Sequence, residues 1–367
     1  MKKLFVLSIA SGYGGAERNV ELLLRYLPSN IQVRVFAEHP YHLRRLREDG
    51  ALPDNASLVK VPGVKTNAKR RITALRVLRD YLKYLPDALL LNTESSAIAA
   101  AMASRFCPSI GERSHLFVHD FMWRDLDFMF ERLKGAKVIV PNEAVIERLG
   151  YLAPYHVQPS GPTPYTVIPN MVEMNPGTLS YEGPFLHLAT LNPWKGHVDL
   201  TIAMQCLRFN EPAITVRSYG AITDTALHQR LLALIDRFGI KDNHVISDEV
   251  DDPSPLLNAC RAVVVPSRTH AGGPETFGRT VAEAWAHRKP VIAYDAGAPA
   301  NLIENEVDGL LVPEGDTQAM ANALKRLASS TDLCRRLGNA GYEKASRLFT
   351  PQVVIPQLMH QLNLKNI

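Results

Sequence analysis

Short, wholly apolar runs alternate along the chain with stretches whose apolar residues recur every three or four positions. Leu4–Ile9 reads as a fully buried strand, and Ala16–Leu27 as a helix with Val20, Leu23, Leu24 and Leu27 on one face. Ile31–Ala37 is a second strand. Arg71–Tyr84 is helical, with an apolar stripe of Ile72, Leu75, Leu78 and Leu82. Ala88–Asn92 is a strand, Ser95–Arg105 a helix, and His115–His119 and Lys137–Val140 are further strands. Prolines and glycines cluster over Thr166–Pro184, the expected linker. Then the alternation restarts. Strands are predicted at Pro184–Leu191, Ala213–Tyr219, His244–Ser247, Ala262–Pro266, Pro290–Tyr294 and Gly309–Val312. Helices are predicted at Val198–Phe209, Thr225–Phe238, Pro253–Cys260, Phe277–His287 and Thr317–Ala328. Apolar strands alternating with helices mean parallel sheets covered on both faces. The expected fold class is α/β, two tandem doubly wound Rossmann-like domains facing a cleft.

The chain has 367 residues, too many for one ordinary core and suited to two. The expected boundaries are 1–170 and 171–350, with 351–367 as a helical segment returning to the first domain. Apolar residues make up 46% and charged residues 21%, as in a soluble globular protein. The net charge of +4 is unevenly spread: residues 1–170 carry 23 Lys and Arg against 16 Asp and Glu. A basic first half suggests an anionic partner. The densest run lies between Lys60 and Lys83 and includes Lys65, Lys69, Arg70, Arg71, Arg76 and Arg79. Four scattered cysteines offer neither metal spacing nor a disulfide framework, which fits a reducing cytosol. No apolar run approaches the ~18–20 residues of a membrane span. The lysines and apolar stretch at the start lead into a glycine turn and an amphipathic helix, which favours a buried first strand over a secretory leader.

Several short stretches carry candidate chemistry. "SGYGGAERN", Ser11–Asn19, follows the first strand and opens a helix. Its glycines let an anion or sugar approach a helix N-terminus. Gly12, Gly14 and Gly15 miss the G-x-G-x-x-G spacing of a dinucleotide fingerprint, and a plain strand-to-helix turn remains the alternative. His119 ends an apolar strand in "LFVHDFMW", with Asp120 beside it to orient the ring or cap a turn. Lys195 in "LNPWKGH" precedes a helix, from which a lysine reaches a phosphate as a point charge.

The most informative stretch is "HAGGPETFGRTVAEAW", His270–Trp285. Glu275 lies in the loop before the predicted helix, and Glu283 stands ~12 Å further on at ~1.5 Å per residue. That is roughly the span from a sugar, across a diphosphate, to a ribose. A carboxylate accepts from two adjacent hydroxyls, while the free amides at the helix start favour an anion. The bland alternatives are a solvated Glu283 and a Glu275 that merely complements the helix dipole.

Pro266–Asp316 as a whole resembles the donor-binding region of the family 4 retaining glycosyltransferases, which have the GT-B fold. The matching features are P-S, E-x-F-G-x-x-x-x-E, "KPVIAYDAGA" and "DGLLVPEGD". "GGAERNVELLL" and "VIPNMV" also look like that family. The resemblance implies that the first domain binds the acceptor and the second a nucleotide-diphosphate sugar. Glu275 then looks like the donor-sugar residue and Glu283 like the ribose residue. The amides of Thr276, Phe277 and Gly278 look like neighbours of the sugar and diphosphate, and Lys195 like the diphosphate lysine. Gly14 and Gly15 look like the loop approaching the donor, and His119 like the histidine beside the reacting centre, so His119 and Glu275 are the expected catalytic residues. The family needs no metal and no cofactor. One position departs from the pattern: Thr190 stands where the family commonly has an arginine. Arg268, and after it Arg279, are the substitutes considered.

The expected activity is therefore metal-independent, retaining transfer of a hexosyl group from a nucleotide-diphosphate sugar to a glycan or lipid-linked glycan, as in polysaccharide biosynthesis. Retention in the family is pictured as front-face attack. The expected location is cytoplasmic, with peripheral contact between the basic stretch and an anionic inner membrane face, and no nucleic acid is expected as a partner. A nucleotide-sugar epimerase shares the architecture, and a non-catalytic sugar-nucleotide-binding subunit is the remaining alternative.

Overall fold

A computed structural model of the chain describes residues 1–48, 50–121, 123, 129, 131–146, 165–175, 177, 180–270 and 272–364. It divides into two compact units. One comprises Met1–Met171 with Pro351–Ile367, the other Val172–Thr350.

The first unit is built on a seven-stranded parallel sheet: β1 (Lys2–Ser8), β2 (Ile31–Ala37), β3 (Ala56–Lys60), β4 (Ala88–Leu91), β5 (Ser114–Phe117), β6 (Lys137–Val140) and β7 (Tyr165–Val167), in the order β3-β2-β1-β4-β5-β6-β7. Helices α1 (Gly15–Tyr26), α2 (Pro40–Glu48), α3 (Asn67–Tyr84), α4 (Glu94–Ser104) and the single turn α5 (Ser109–Glu112) connect them. The central strands bury both faces, and β4 (ALLL) has no polar position to offer solvent. β3 and α2 carry mixed polar sequence and escape the periodicity analysis. β7 claims the first residues of the expected linker by pairing with β6.

α3 packs through only part of its apolar surface. The buried side is Thr73, Ala74, Val77, Asp80 and Tyr81. Of the apolar stripe, Leu78 packs against the core, whereas Ile72 is 46% exposed, Leu75 58% and Leu82 57%. The physical reason is α4, whose sequence ESSAIAAAMAS presents a surface of small side chains. A neighbour packs closely on it through small residues. Thr73 donates to the Gly63 carbonyl at 2.8 Å, and the buried Asp80 accepts from Arg34 at 2.7 Å.

The second unit has six parallel strands: β8 (Phe185–Leu188), β9 (Val216–Tyr219), β10 (His244–Ser247), β11 (Val263–Val265), β12 (Val291–Tyr294) and β13 (Leu310–Val312), in the order β10-β9-β8-β11-β12-β13. Its helices are α6 (His197–Leu207), α7 (Thr225–Phe238), α8 (Ser254–Ala259), α9 (Arg279–Ala286), α10 (Gly297–Leu302), α11 (Thr317–Ala328) and α12 (Thr331–Leu348). α12 packs through Cys334, Leu337, Gly338, Gly341 and Ala345. A Cβ at Gly341 would come within 2.0 Å of Trp285, so the glycine lets helix and indole meet. Lys289 is fully buried; its ammonium donates to the carbonyls of Ser180, Asn258 and Cys260 at 2.6–2.9 Å. Burial pushes its pKa down. A last helix, α13 (Pro351–Gln361), returns to the first unit and buries Val354, Ile355, Leu358 and Met359 in the core beside β1 and β2.

Candidate active site

In both sheets the strand order reverses once, between β1 and β4 and between β8 and β11. Loops leaving the carboxyl ends of strands at such a point diverge and leave a crevice, where open α/β sheets bind ligands. The sequence-predicted residues follow that rule in each unit.

In the first unit, β1 feeds the glycine loop. Gly14 is the N-cap of α1 and Gly15 its first residue. The Gly14 amide donates to Glu17 Oε2 at 2.8 Å, so a side chain closes the helix start. Burial raises the Glu17 pKa. Tyr13, within the loop, donates to Glu21 Oε2 at 3.1 Å, and Glu21 also meets His42 and Arg45 at 3.0 and 3.1 Å. Burial opposes ionisation of Glu21, but these partners hold its pKa below the usual carboxylate value. Asn92, directly after β4, bridges the predicted pieces. Its amide donates to the Ala16 carbonyl at 3.1 Å, and its carbonyl oxygen lies 2.8 Å from His119 Nε2. The His119 ring stacks on Phe117 with centroids 4.1 Å apart. Thus the structure joins His119 to the glycine loop through Asn92. Sequence reasoning passed over Asn92; its only signal is a polar residue closing the run ALLL.

In the second unit, Lys195 ends a single turn, Pro193–Lys195, after β8, and Glu275 lies in the loop after β11. Across 80 residues of sequence their side chains meet at 2.5 Å. Ser267 donates to the same Glu275 oxygen at 2.9 Å. The Lys195 ammonium also sits 4.0 Å from the centroid of the Trp194 ring, a cation–π contact. Gly196 follows with φ 75°, and a Cβ there would stand 1.9 Å from the Pro266 carbonyl, so only glycine lets the two loops touch.

α9 begins at Arg279, two residues later than its periodicity predicts, because Gly278 takes a left-handed conformation as N-cap (φ 74°). Thr276 and Phe277 therefore precede the helix, and the amides without an intrahelical acceptor are those of Gly278, Arg279 and Thr280. Glu283 lies in the second turn and accepts from Arg279 Nε at 2.8 Å. The helical rise separates Glu283 from Arg279 by only ~6 Å. The remainder of the Glu275–Glu283 interval is loop, so the ~12 Å expected for a continuous helix does not apply. Arg268 is paired with Asp199 at 2.5 Å. Both line a cavity of about 440 Å³ with Pro193, Gly196, Arg230 and His270, and its lining includes none of Lys195, Glu275 and Glu283. Thr190 lies in the loop between β8 and the Lys195 turn.

Beneath the Lys195 turn three imidazoles are buried together. His187 and His197 have ring centroids 4.4 Å apart. Ser218 Oγ lies 3.3 Å from His187 and 3.1 Å from His244, and Thr201 Oγ1 lies 3.3 Å from His244. Burial, reinforced by the other cations and rings, lowers all three pKa values: His197 to about 4, His244 to about 3, and His187 well below its ordinary value. Among the described residues no group of His, Cys, Asp and Glu has the geometry of a metal site.

Residues 181–344 match the family model described as "Glycosyl transferases group 1". The chain carries a glycosyl transferases group 1 domain. That domain contains Lys195, Glu275, Arg279 and Glu283. The chain is 30% identical over 173 residues to the D-inositol 3-phosphate glycosyltransferase of Saccharomonospora viridis, covering 41% of this chain and 39% of that protein. It is 37% identical over 111 residues to the phosphatidyl-myo-inositol mannosyltransferase of Mycobacterium leprae, covering 30% and 29%. The chain thus spans well under half the length of these curated relatives, and only 15% of an exopolysaccharide phosphotransferase of Streptomyces coelicolor. Among solved structures, Anabaena HepE in complex with UDP and glucose superposes with a TM-score of 0.81 at 21% identity, over 99% of this chain and 100% of that one. A glycosyltransferase from Rickettsia africae does so with a TM-score of 0.81 at 19% identity, over 100% and 99%. At such identities the likeness speaks for the fold. The group 1 domain and its companion unit are doubly wound α/β units of the GT-B class, as expected from the sequence.

Proposed function

We propose that the protein is a retaining glycosyltransferase that moves a hexosyl group from a nucleotide-diphosphate sugar to a glycan or lipid-linked glycan. The observation that carries this reading is the meeting of Lys195, Glu275 and Ser267 at the point where the second sheet reverses its order. A donor fits the chemistry present there. Glu275 accepts from the sugar hydroxyls and Glu283 from the ribose diol. Lys195 and the amides at the start of α9 balance the diphosphate. The group 1 domain match and the UDP named with HepE support the choice of ligand class.

In the proposed step the acceptor hydroxyl oxygen bonds to the anomeric carbon on the face the leaving group departs from. The carbon–oxygen bond to the diphosphate breaks, and its electron pair stays with the phosphate. The acceptor's proton passes to that phosphate oxygen, giving the glycoside and the nucleoside diphosphate. Within the first unit, His119, set by Asn92, and the backbone at Gly14 and Gly15 are the groups proposed to take part. No metal or dedicated nucleophile enters this scheme. A thermal-shift panel of UDP-, GDP-, ADP- and dTDP-sugars, on the natural protein and Glu275→Gln, tests it. One sugar nucleotide should raise the melting temperature of the first protein and much less that of the second; no shift with any of the four would refute the assignment. An epimerase would convert the donor without an acceptor.

The acceptor is proposed to be presented at an anionic membrane surface, at its cytoplasmic face. α3 supports this: exposed Ile72, Leu75 and Leu82 run among Lys69, Arg71, Arg76, Arg79 and Lys83, all exposed as well. Apolar side chains beside cations suit shallow insertion among acidic headgroups. No described helix is long and apolar enough to cross a membrane. Sedimentation with phosphatidylglycerol-containing and pure phosphatidylcholine vesicles decides the point; equal binding to both, or to neither, removes the idea.

A further inference from the structure

Arg279 opens α9 beside a Gly278 N-cap that contributes no side-chain hydrogen bond. Its Nε donates to Glu283, and both side chains are 17% exposed. Its Nη1 is buried and makes no hydrogen bond among the described residues. A buried guanidinium N–H without an acceptor is costly, and a ligand oxygen at that point would relieve the cost. The start of α9 is tied to the end of β8: Thr280 Oγ1 donates to the Leu188 carbonyl at 3.4 Å. The loop bearing Thr190 and Lys195 leaves from that strand end. Thr190 brings no charge there, and Arg268 is committed to Asp199 in the neighbouring cavity.

We propose that Arg279 is a further donor-binding residue, whose Nη1 gives the diphosphate a second cationic contact while Glu283 holds the guanidinium plane. The inference rests on the assignment of Lys195 and the α9 start to the diphosphate. Without ligand the four charged groups form two neutral pairs, Lys195–Glu275 and Arg279–Glu283. When a nucleotide sugar enters, its hydroxyls share the two carboxylates and its phosphate oxygens take up the donors of the two cations. Arginine suits this double duty, since its planar fork bonds a carboxylate through one edge and a phosphate through another.

The test uses the full chain and isothermal titration with uridine and UDP, and with guanosine and GDP in parallel. The readout is the phosphate increment, the ratio of the nucleoside Kd to the nucleoside diphosphate Kd for the base that binds more tightly. Arg279→Gln should cut the increment about tenfold, the loss of one charge-assisted hydrogen bond, and leave the nucleoside Kd within about twofold. Glu283→Gln should weaken the nucleoside yet enlarge the increment, because it removes the negative charge that offsets the guanidinium while leaving an oxygen to hold its plane. This arm decides the matter if Arg279→Gln does not fold. An equal loss for nucleoside and diphosphate, or an increment untouched by either substitution, would overturn the proposal. Lys195→Ala separates the two levels. If it lowers the increment and the Arg279 and Glu283 variants leave it unchanged, this inference alone falls. If none of the three moves the increment, the diphosphate assignment falls with it.

Discussion

Acidification should weaken the second unit through His187, His197 and His244. Each is at most 2% exposed. Burial, with neighbouring positive groups, holds His197 at about 4, His244 at about 3 and His187 well below its ordinary value. In the unfolded chain each returns to about 6.5. Above that pH the rings are neutral in both states and contribute no pH dependence. Below it the unfolded chain takes protons that the folded unit refuses, so stability falls as pH drops. The loss levels off only once the folded rings themselves protonate, below about pH 3–4. At pH 5 each ring that stays neutral costs about 2 kcal/mol, so three cost about 6 kcal/mol. That is a large part of the 5–15 kcal/mol typical of a domain. Guanidinium unfolding between pH 7.5 and 5, followed by the fluorescence of Trp194 and Trp285, measures it. The slope should approach ~1.4 kcal/mol per pH unit for each ring, and His197→Gln should remove one ring's share. A flat profile over this range, or an undiminished slope in the variant, would refute the reasoning.

Three further outcomes follow from single contacts. Gly196→Ala should lower stability by more than ~2 kcal/mol and weaken nucleotide binding, since its Cβ would meet the Pro266 carbonyl at 1.9 Å; thermal melts and titration with UDP check both. Lys289→Met should cost about 3 kcal/mol in urea unfolding, because three buried carbonyls lose their shared donor. Leu75→Gln with Leu82→Gln should change stability by less than ~0.5 kcal/mol per site, both side chains being more than half exposed, yet abolish vesicle sedimentation if α3 is the membrane contact.

The strands were legible where they are buried on both faces, because Leu4–Ile9 or ALLL leaves no polar position to confuse the pattern. The α12 helix was not. Its buried face is built from Cys334, Leu337, Gly338, Gly341 and Ala345, mostly small residues that carry little hydrophobic signal although Gly341 makes room for Trp285. The packed side of α3 was equally hard to read: it is Thr73, Ala74, Val77 and Tyr81, while Ile72, Leu75 and Leu82 face solvent. At the site, residue types and loop positions could be read from the sequence. The pairing of Lys195 with Glu275 could not, since two loops 80 residues apart converge only through the strand order. The left-handed Gly278 that delays α9 is likewise a backbone fact. The Arg279–Glu283 pair has the ordinary i,i+4 spacing, which by itself says nothing of an unused guanidinium nitrogen.

The return of α13 to the first unit bears on how the molecule is made. Ribosomes deliver the chain from its amino end, yet the core around β1 and β2 is completed by Val354, Ile355, Leu358 and Met359. The second unit, one unbroken stretch from Val172 to Thr350, has all its pieces before the first unit has its last. The leading domain, which usually matures first, cannot close its core until the last helix is made, and a chain truncated after Thr350 would hold every element of the second unit and lack α13 in the first.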